Sequence, residues 1–171
     1  LDNVQIVVPE HYSGTVKFTV QPVVTENDNP SAVYFSKENV SFKVKPVAEA
    51  SLSVSSNLLE DIIRQLSLTA VGADSNEYIS AVRISAADVT AKGLTLHAAD
   101  GTLLTPGADG FYTFTYNGLN SQKAPDVYVK GPANYSGDIK LNIGYTVTDP
   151  VADGTITAAT KEGTVEHTLN F

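Results

Sequence analysis

Asp74, Asn76 and Glu77 place three oxygen-bearing side chains within four positions, and Glu60-Asp61 offers two more carboxylates from a neighbouring loop. A hard cation such as Ca2+ takes six to eight oxygens, mostly from loops, with carboxylates offsetting its charge. The same residues also read as solvated loop acids and turn caps. Glu26-Asn-Asp-Asn29 is a weaker version of the pattern, and a plain turn with Pro30 explains it equally well. Adjacent carboxylates such as Glu60 and Asp61 point apart in a strand, which is the wrong geometry for paired acid and base work. His11, His97 and His167 have no ligand-like partner nearby and read as structural or surface residues. Without Cys there is no thiol nucleophile and no thiolate zinc site. No Gly-x-Ser-x-Gly elbow, phosphate loop or dinucleotide glycine pattern appears. No catalytic residue is assigned, and the chain reads as a non-enzyme.

Charge narrows the partners. The 171 residues carry 19 Asp and Glu against 11 Lys and Arg, for a net charge of −8. Nucleic acid and anionic membrane surfaces need clustered cations, so neither is an expected partner. The longest apolar runs, such as Val4–Pro9, are too short to insert into a bilayer. No basic-then-apolar leader opens the chain, so it reads as an interior fragment of something longer.

The elements that must position the acids follow a period of two. Val16, Phe18 and Val20 alternate with polar residues, as do Val40 to Val44, Val82 to Ile84, Leu94 to Leu96, Phe111 to Tyr116, Val127 to Val129, Ile139 to Ile143 and Val165 to Phe171. Such alternation buries one face of an antiparallel sheet and wets the other. Turn signals separate the runs at Ser13-Gly14, Asn27 to Pro30, Asp100-Gly101, Asp109-Gly110, Asn117-Gly118, Ser136-Gly137 and Asp153-Gly154. Many short strands at near-regular spacing predict an all-β, antiparallel sandwich. Leu58 to Leu66 has helical spacing, but alternation resumes by Gln65, so a loop or single helical turn feeding a strand is expected. Of eight Tyr, Tyr112 and Tyr116 fall on one strand face with Phe111 and Phe114 opposite. Exposed aromatics can stack on a sugar or grip a peptide, and cross-strand packing is the simpler use.

The chain repeats itself. Pro9-Glu-His-Tyr-Ser-Gly14 returns as Pro132-Ala-Asn-Tyr-Ser-Gly137, 123 positions later, and Val16, Phe18 and Val20 match Ile139, Leu141 and Ile143. Self-similarity at a fixed period signals a modular array. One period ending at Phe171 begins near Ala50, just after the extended link Lys45-Pro-Val-Ala-Glu-Ala50. Residues 48–171 are then a complete module, and residues 1–47 the last strands of a preceding one. Three strands cannot close a sandwich. The fragment packs on the complete module, pairs with a second copy of the chain, or belongs to a permuted folding unit.

The order Pro-x-x-Tyr-Ser-Gly-Thr, strand, polar loop, strand, Pro-Val-Ala-Glu-Ala, strand, Glu-Asp, strand, Asp-x-x-Glu-x-Ile-Ser and Asp-Gly-Phe-Tyr resembles the tandem Ig-like or cadherin-like repeats of giant bacterial RTX adhesins and biofilm surface proteins. The resemblance implies an Ig-like or cadherin-like sandwich with neighbouring repeat modules of the same chain as partners. It implies export by type I machinery to the surface of a Gram-negative cell. It also implies Ca2+ at the domain junctions, with Glu49, Glu60, Asp61, Asp74, Asn76 and Glu77 at the matching positions. Where family members often read Asp-x-Asp-Gly-Ser-Glu, this chain reads Gly72-Ala-Asp-Ser-Asn-Glu77, one carboxylate and the glycine fewer. The function implied is an extender that spaces a distal binding region from the cell. The alternative is a module that itself binds peptide or carbohydrate.

Overall fold

The computed structural model describes residues 4–26, 28–72, 74, 76–116, 123–151, 154 and 156–171, with the side chains of 26, 29, 30 and 32 left aside. The turns expected at Asn27, Asn117-Gly118 and Asp153 fall outside the described residues. Strand makes up 51 % of the chain and helix 4 %, and the strands pair antiparallel, so the class is all-β. The chain divides into two compact units, Leu1–Pro46 with Val151–Thr157 and Val47–Pro150 with Ala158–Phe171.

The first unit holds four strands: β1 (Gly14–Val20), β2 (Val23–Glu26), β3 (Asn29–Tyr34) and β4 (Glu38–Val44). β1 pairs with β4 and β2 with β3, as two separate two-stranded sheets. Pro22 sits at the break between β1 and β2. It has no N–H to give to a ladder, and its carbonyl instead accepts from the N–H of Phe35 at 3.1 Å.

The second unit is the sandwich. Its elements are β5 (Ser51–Ser55), β6 (Arg64–Val71), β7 (Tyr78–Ser85), α1 (Ala86–Ala91), β8 (Thr95–His97), β9 (Phe111–Thr115), β10 (Val127–Lys130), β11 (Asp138–Asp149) and β12 (Ala159–Asn170). One sheet runs β5-β6-β10-β8 and the other β12-β11-β7-β9. Leu52, Leu66, Leu96 and Val129 of the first sheet and Ile84, Leu141, Ile143 and Leu169 of the second are buried in one core. Alternation selects these residues, because only every second side chain on a strand faces the partner sheet.

Leu58 to Ile63 form the expected loop, in which Asp61 takes a left-handed φ of 62° in a turn, and β6 then starts at Arg64. A short helix that alternation did not predict lies at α1, capped by Ser85, whose Oγ accepts from the N–H of Asp88 at 3.4 Å. One local expectation changes. Phe114 shares the face of Tyr112, because these two pair with the buried Val82 and Ile84. Phe111 lies on the other face, under the Arg83 guanidinium at 4.3 Å from the ring centroid.

The repeated hexapeptide folds the same way twice. In each copy the Tyr N–H donates to the Pro carbonyl three residues back, at 3.2 Å for Tyr12 and 3.3 Å for Tyr135. Each Tyr hydroxyl donates to a strand carbonyl three residues on, Thr15 at 3.1 Å and Asp138 at 3.2 Å. The residue before each Tyr is left-handed, His11 at 61° and Asn134 at 54°. Gly14 and Gly137 reach φ of 134° and 146°, values that L side chains rarely adopt.

Leu141 is fully buried at the centre of the sandwich. Leu141→Ala is expected to lower the unfolding free energy of this unit by about 2–5 kcal/mol, read from urea denaturation. Phe18→Ala, at the matching position of the half-exposed first unit, should cost the chain much less in the same measurement.

Candidate functional site

A β-bulge builds the site. β7 pairs with β11 through Ile84↔Ile143 to Ala81↔Thr146, then slips so that Ile79 faces Val147. Ser80 is the extra residue, and its Oγ donates to the Thr146 carbonyl at 3.2 Å and accepts from the Thr148 hydroxyl at 2.8 Å. A bulge reverses which face the following side chains occupy. Val82 and Ile84 point inward above it, and Ile79 and Glu77 point inward below it. Without the extra residue Glu77 would face water.

On β11 the inward positions continue past Ile143 through Tyr145 and Val147 to Asp149. The ladder reaches Tyr78↔Thr148, so one further step sets Glu77 opposite Asp149. Glu77 is 0 % and Asp149 3 % exposed. Two carboxylates thus lie together inside one end of the sandwich, beneath the chain that leads into β5.

That chain is tied down by these acids. The Glu77 Oε1 accepts from the backbone N–H of Glu49 at 2.6 Å, and Oε2 from that of Asp74 at 3.1 Å. The Asp149 Oδ2 accepts from the N–H of Val47 at 3.2 Å, and Oδ1 from the Asn76 amide at 3.0 Å. The Asn76 amide also donates to the Pro150 carbonyl at 2.8 Å. From the other side the Lys161 ammonium donates to the carbonyls of Glu49 at 2.8 Å and Ala50 at 3.2 Å. The segment Val47–Ala50 is therefore held by its own N–H and C=O groups.

Electrostatics at this site are unfavourable. Burial raises the Asp149 carboxyl above the usual range, the neighbouring charges of Glu77 and Asp74 push it further, and the Val47 and Asn76 hydrogen bonds oppose them. The ion pairs Arg83–Asp109, Lys92–Asp88 and Lys140–Glu166 all lie elsewhere. A buried negative pair is relieved by a proton or by a cation.

The expected ligands divide between the two ends of the unit. Asp74, Asn76 and Glu77 lie at the same end as Asp149, a residue outside the expected set, through the Asp74–Glu77 and Asn76–Asp149 hydrogen bonds. Glu49 contributes its backbone, and its side chain is exposed. Glu60 and Asp61 are exposed in the loop at the opposite end of β6, about 25 Å away at the rise of eight strand residues. They do not join the cluster. Among the described residues no group of three or more His, Cys, Asp or Glu side chains is gathered closely enough to hold a metal. The donors present do fit Ca2+ in kind: every one is a hard oxygen, and each carboxylate oxygen with one N–H donor keeps a second lone pair. Asp149 was detectable as the last inward position of an alternating strand.

The histidines make protein contacts. The His97 Nδ1 donates to the Gly101 carbonyl at 3.0 Å, and its Nε2 meets the Thr95 hydroxyl at 2.9 Å. His167 Nε2 meets the Ser56 hydroxyl at 3.0 Å, and burial lowers its pKa. The outer face of β12-β11-β7-β9 carries a shallow groove floored by Gly144 and lined by Arg83, Phe111, Asn142, Glu162 and Thr164.

No family model matches the chain, and no curated protein matches it.

Asp149 holds its proton more tightly folded than unfolded. Its contribution to stability is full below its ordinary value of 3.8 and is lost as pH rises through the higher folded value. In chelator, Asp149→Asn should therefore flatten the fall in melting temperature above that pH. Melting curves of both proteins across acidic to neutral pH check this, and parallel curves would remove the argument for strain.

Proposed function

We propose that the chain is an extender segment of a large bacterial cell-surface adhesin of Gram-negative cells, spacing a distal binding region from the surface. The observation that carries the reading is the pinned linker. An extender needs modules whose entering strand is firmly anchored, and the backbone from Val47 to Ala50 is held within its own unit by Glu77, Asp149 and Lys161. The repeated Pro-x-x-Tyr-Ser-Gly turn supports a tandem array of like modules as its setting. Export by type I secretion belongs to the same reading and rests on the sequence resemblance.

Ca2+ is the proposed cofactor, held by Glu77 and Asp149 with oxygens from Asp74 and Asn76. Its charge would offset the buried pair and stiffen the linker that the same carboxylates hold. Melting with and without Ca2+ tests this. Millimolar Ca2+ should raise the melting temperature by several degrees, chelator should reverse it, and Glu77→Gln should abolish the difference. Equal melting in Ca2+ and chelator would leave the linker pinned by hydrogen bonds alone.

The second reading is a peptide- or carbohydrate-binding module, favoured by the groove over Gly144 with Phe111, Asn142 and Glu162 on its rim. Arg83 already covers the Phe111 ring, which weakens it as a sugar platform. A glycan and peptide array is expected to give no reproducible hit. A hit lost in Asn142→Ala would move the assignment to this reading.

A further inference from the structure

The first unit repeats half of the second, down to strand register. Val16 pairs with Phe42 as Ile139 pairs with Leu169, and Phe18 pairs with Val40 as Leu141 pairs with His167. Gly14 opposes Val44 as Gly137 opposes Phe171, the latter through two backbone hydrogen bonds of 3.0 Å. The hairpin β1–β4 is thus the counterpart of β11–β12. In the sandwich, Ile139, Leu141 and Leu169 are covered by the β5-β6-β10-β8 sheet. On β1–β4 the corresponding face stays partly open, with Val40 and Phe42 exposed.

The segment just before the repeated turn makes the case independently. Val4 and Ile6 match Val127 and Val129 of β10, at the same spacing of 123. In the sandwich β10 lies between β6 and β8, and both valines are 0 % exposed. Val4 and Ile6 are 75 % and 48 % exposed and form no strand. A strand sequence with no neighbours to pair with stays irregular.

We propose that residues 4–44 are the closing strands of a second sandwich, and that they dock onto a strand set equivalent to residues 50–123 of this chain. The occupant must do two things at once. It must lay an apolar inner face over Val16, Phe18, Val40 and Phe42, and it must open a slot between two strands for Val4–Val7. A second copy of this chain meets neither need, because its own β10 already fills the slot between β6 and β8 and its inner sheet face is already covered. The inference rests on the internal repeat and stands whether or not the adhesin reading holds.

The test is a fusion in which residues 50–123 are repeated ahead of residue 1, compared with the 171-residue chain by amide hydrogen exchange and sedimentation. In the fusion, exchange at Val4–Val7, β1 and β4 should slow by about tenfold or more, toward that of β10, β11 and β12, and the protein should stay monomeric. Phe18→Asp in the fusion should restore fast exchange in these segments without changing β11 and β12. Lys17→Asp, on the outer face of the same strand, should leave the protection in place. Unchanged fast exchange in the fusion overturns the proposal. So does an unfused chain that is already dimeric and protected along β1 and β4, which would make a second copy the occupant.

Discussion

A strand with alternating apolar residues presents one dry face, and that face is satisfied only by a second sheet. Everything ordered in this chain follows from where this condition is met. In the unit from Val47 onward two four-stranded sheets meet it, and every fully buried large aliphatic side chain among the described residues lies there. In the unit that contains β1 to β4 the same strand pattern and the same turn form, yet Val40 and Phe42 stay exposed. Local sequence suffices for a tyrosine-anchored turn and a hairpin register. Burial takes a second sheet.

The bulge at Ser80 shows how a single residue changes the chemistry of one end of the sandwich. It turns Glu77 from the solvent face to the interior and brings it against Asp149. The electrostatic penalty is offset in part by the backbone N–H groups of Val47, Glu49 and Asp74, which would otherwise need partners of their own. The acids and the linker therefore depend on each other. Removing either carboxylate frees a stretch of main chain, and moving the main chain strands two buried charges.

Much of this was legible in the sequence. The strands β1, β4, β9, β10 and β12 follow from alternation, and the spacing of the two Pro-x-x-Tyr-Ser-Gly stretches measured the repeat. The missed features had physical reasons. β7 breaks its own alternation at Ser80, so Ile79 and Val82 cannot both be read as inward. The alternation of β11 runs past Ile143 through Tyr145 and Val147, with Thr146 and Thr148 on the other face, and a polar Asp149 at its end does not look like a core position until the strand is carried that far. α1 spans 6 residues, under two turns, and is too short for a periodic signal. Glu60 and Asp61 were grouped with Asp74 to Glu77 because sequence distance says nothing about the two ends of β6.

The Lys161 and His167 contacts carry one further consequence. Lys161, near the start of β12, holds the carbonyls that precede β5, and His167, near the end of β12, meets Ser56 just after β5. The two edge strands therefore run side by side in the same direction, although they belong to different sheets. A pull that enters at Val47 and leaves at Phe171 drags them past each other lengthwise. Contacts along the seam then bear the load together rather than parting one by one, as they would in an unzipping hairpin. Such an arrangement resists tension applied along the chain far better than tension applied across it.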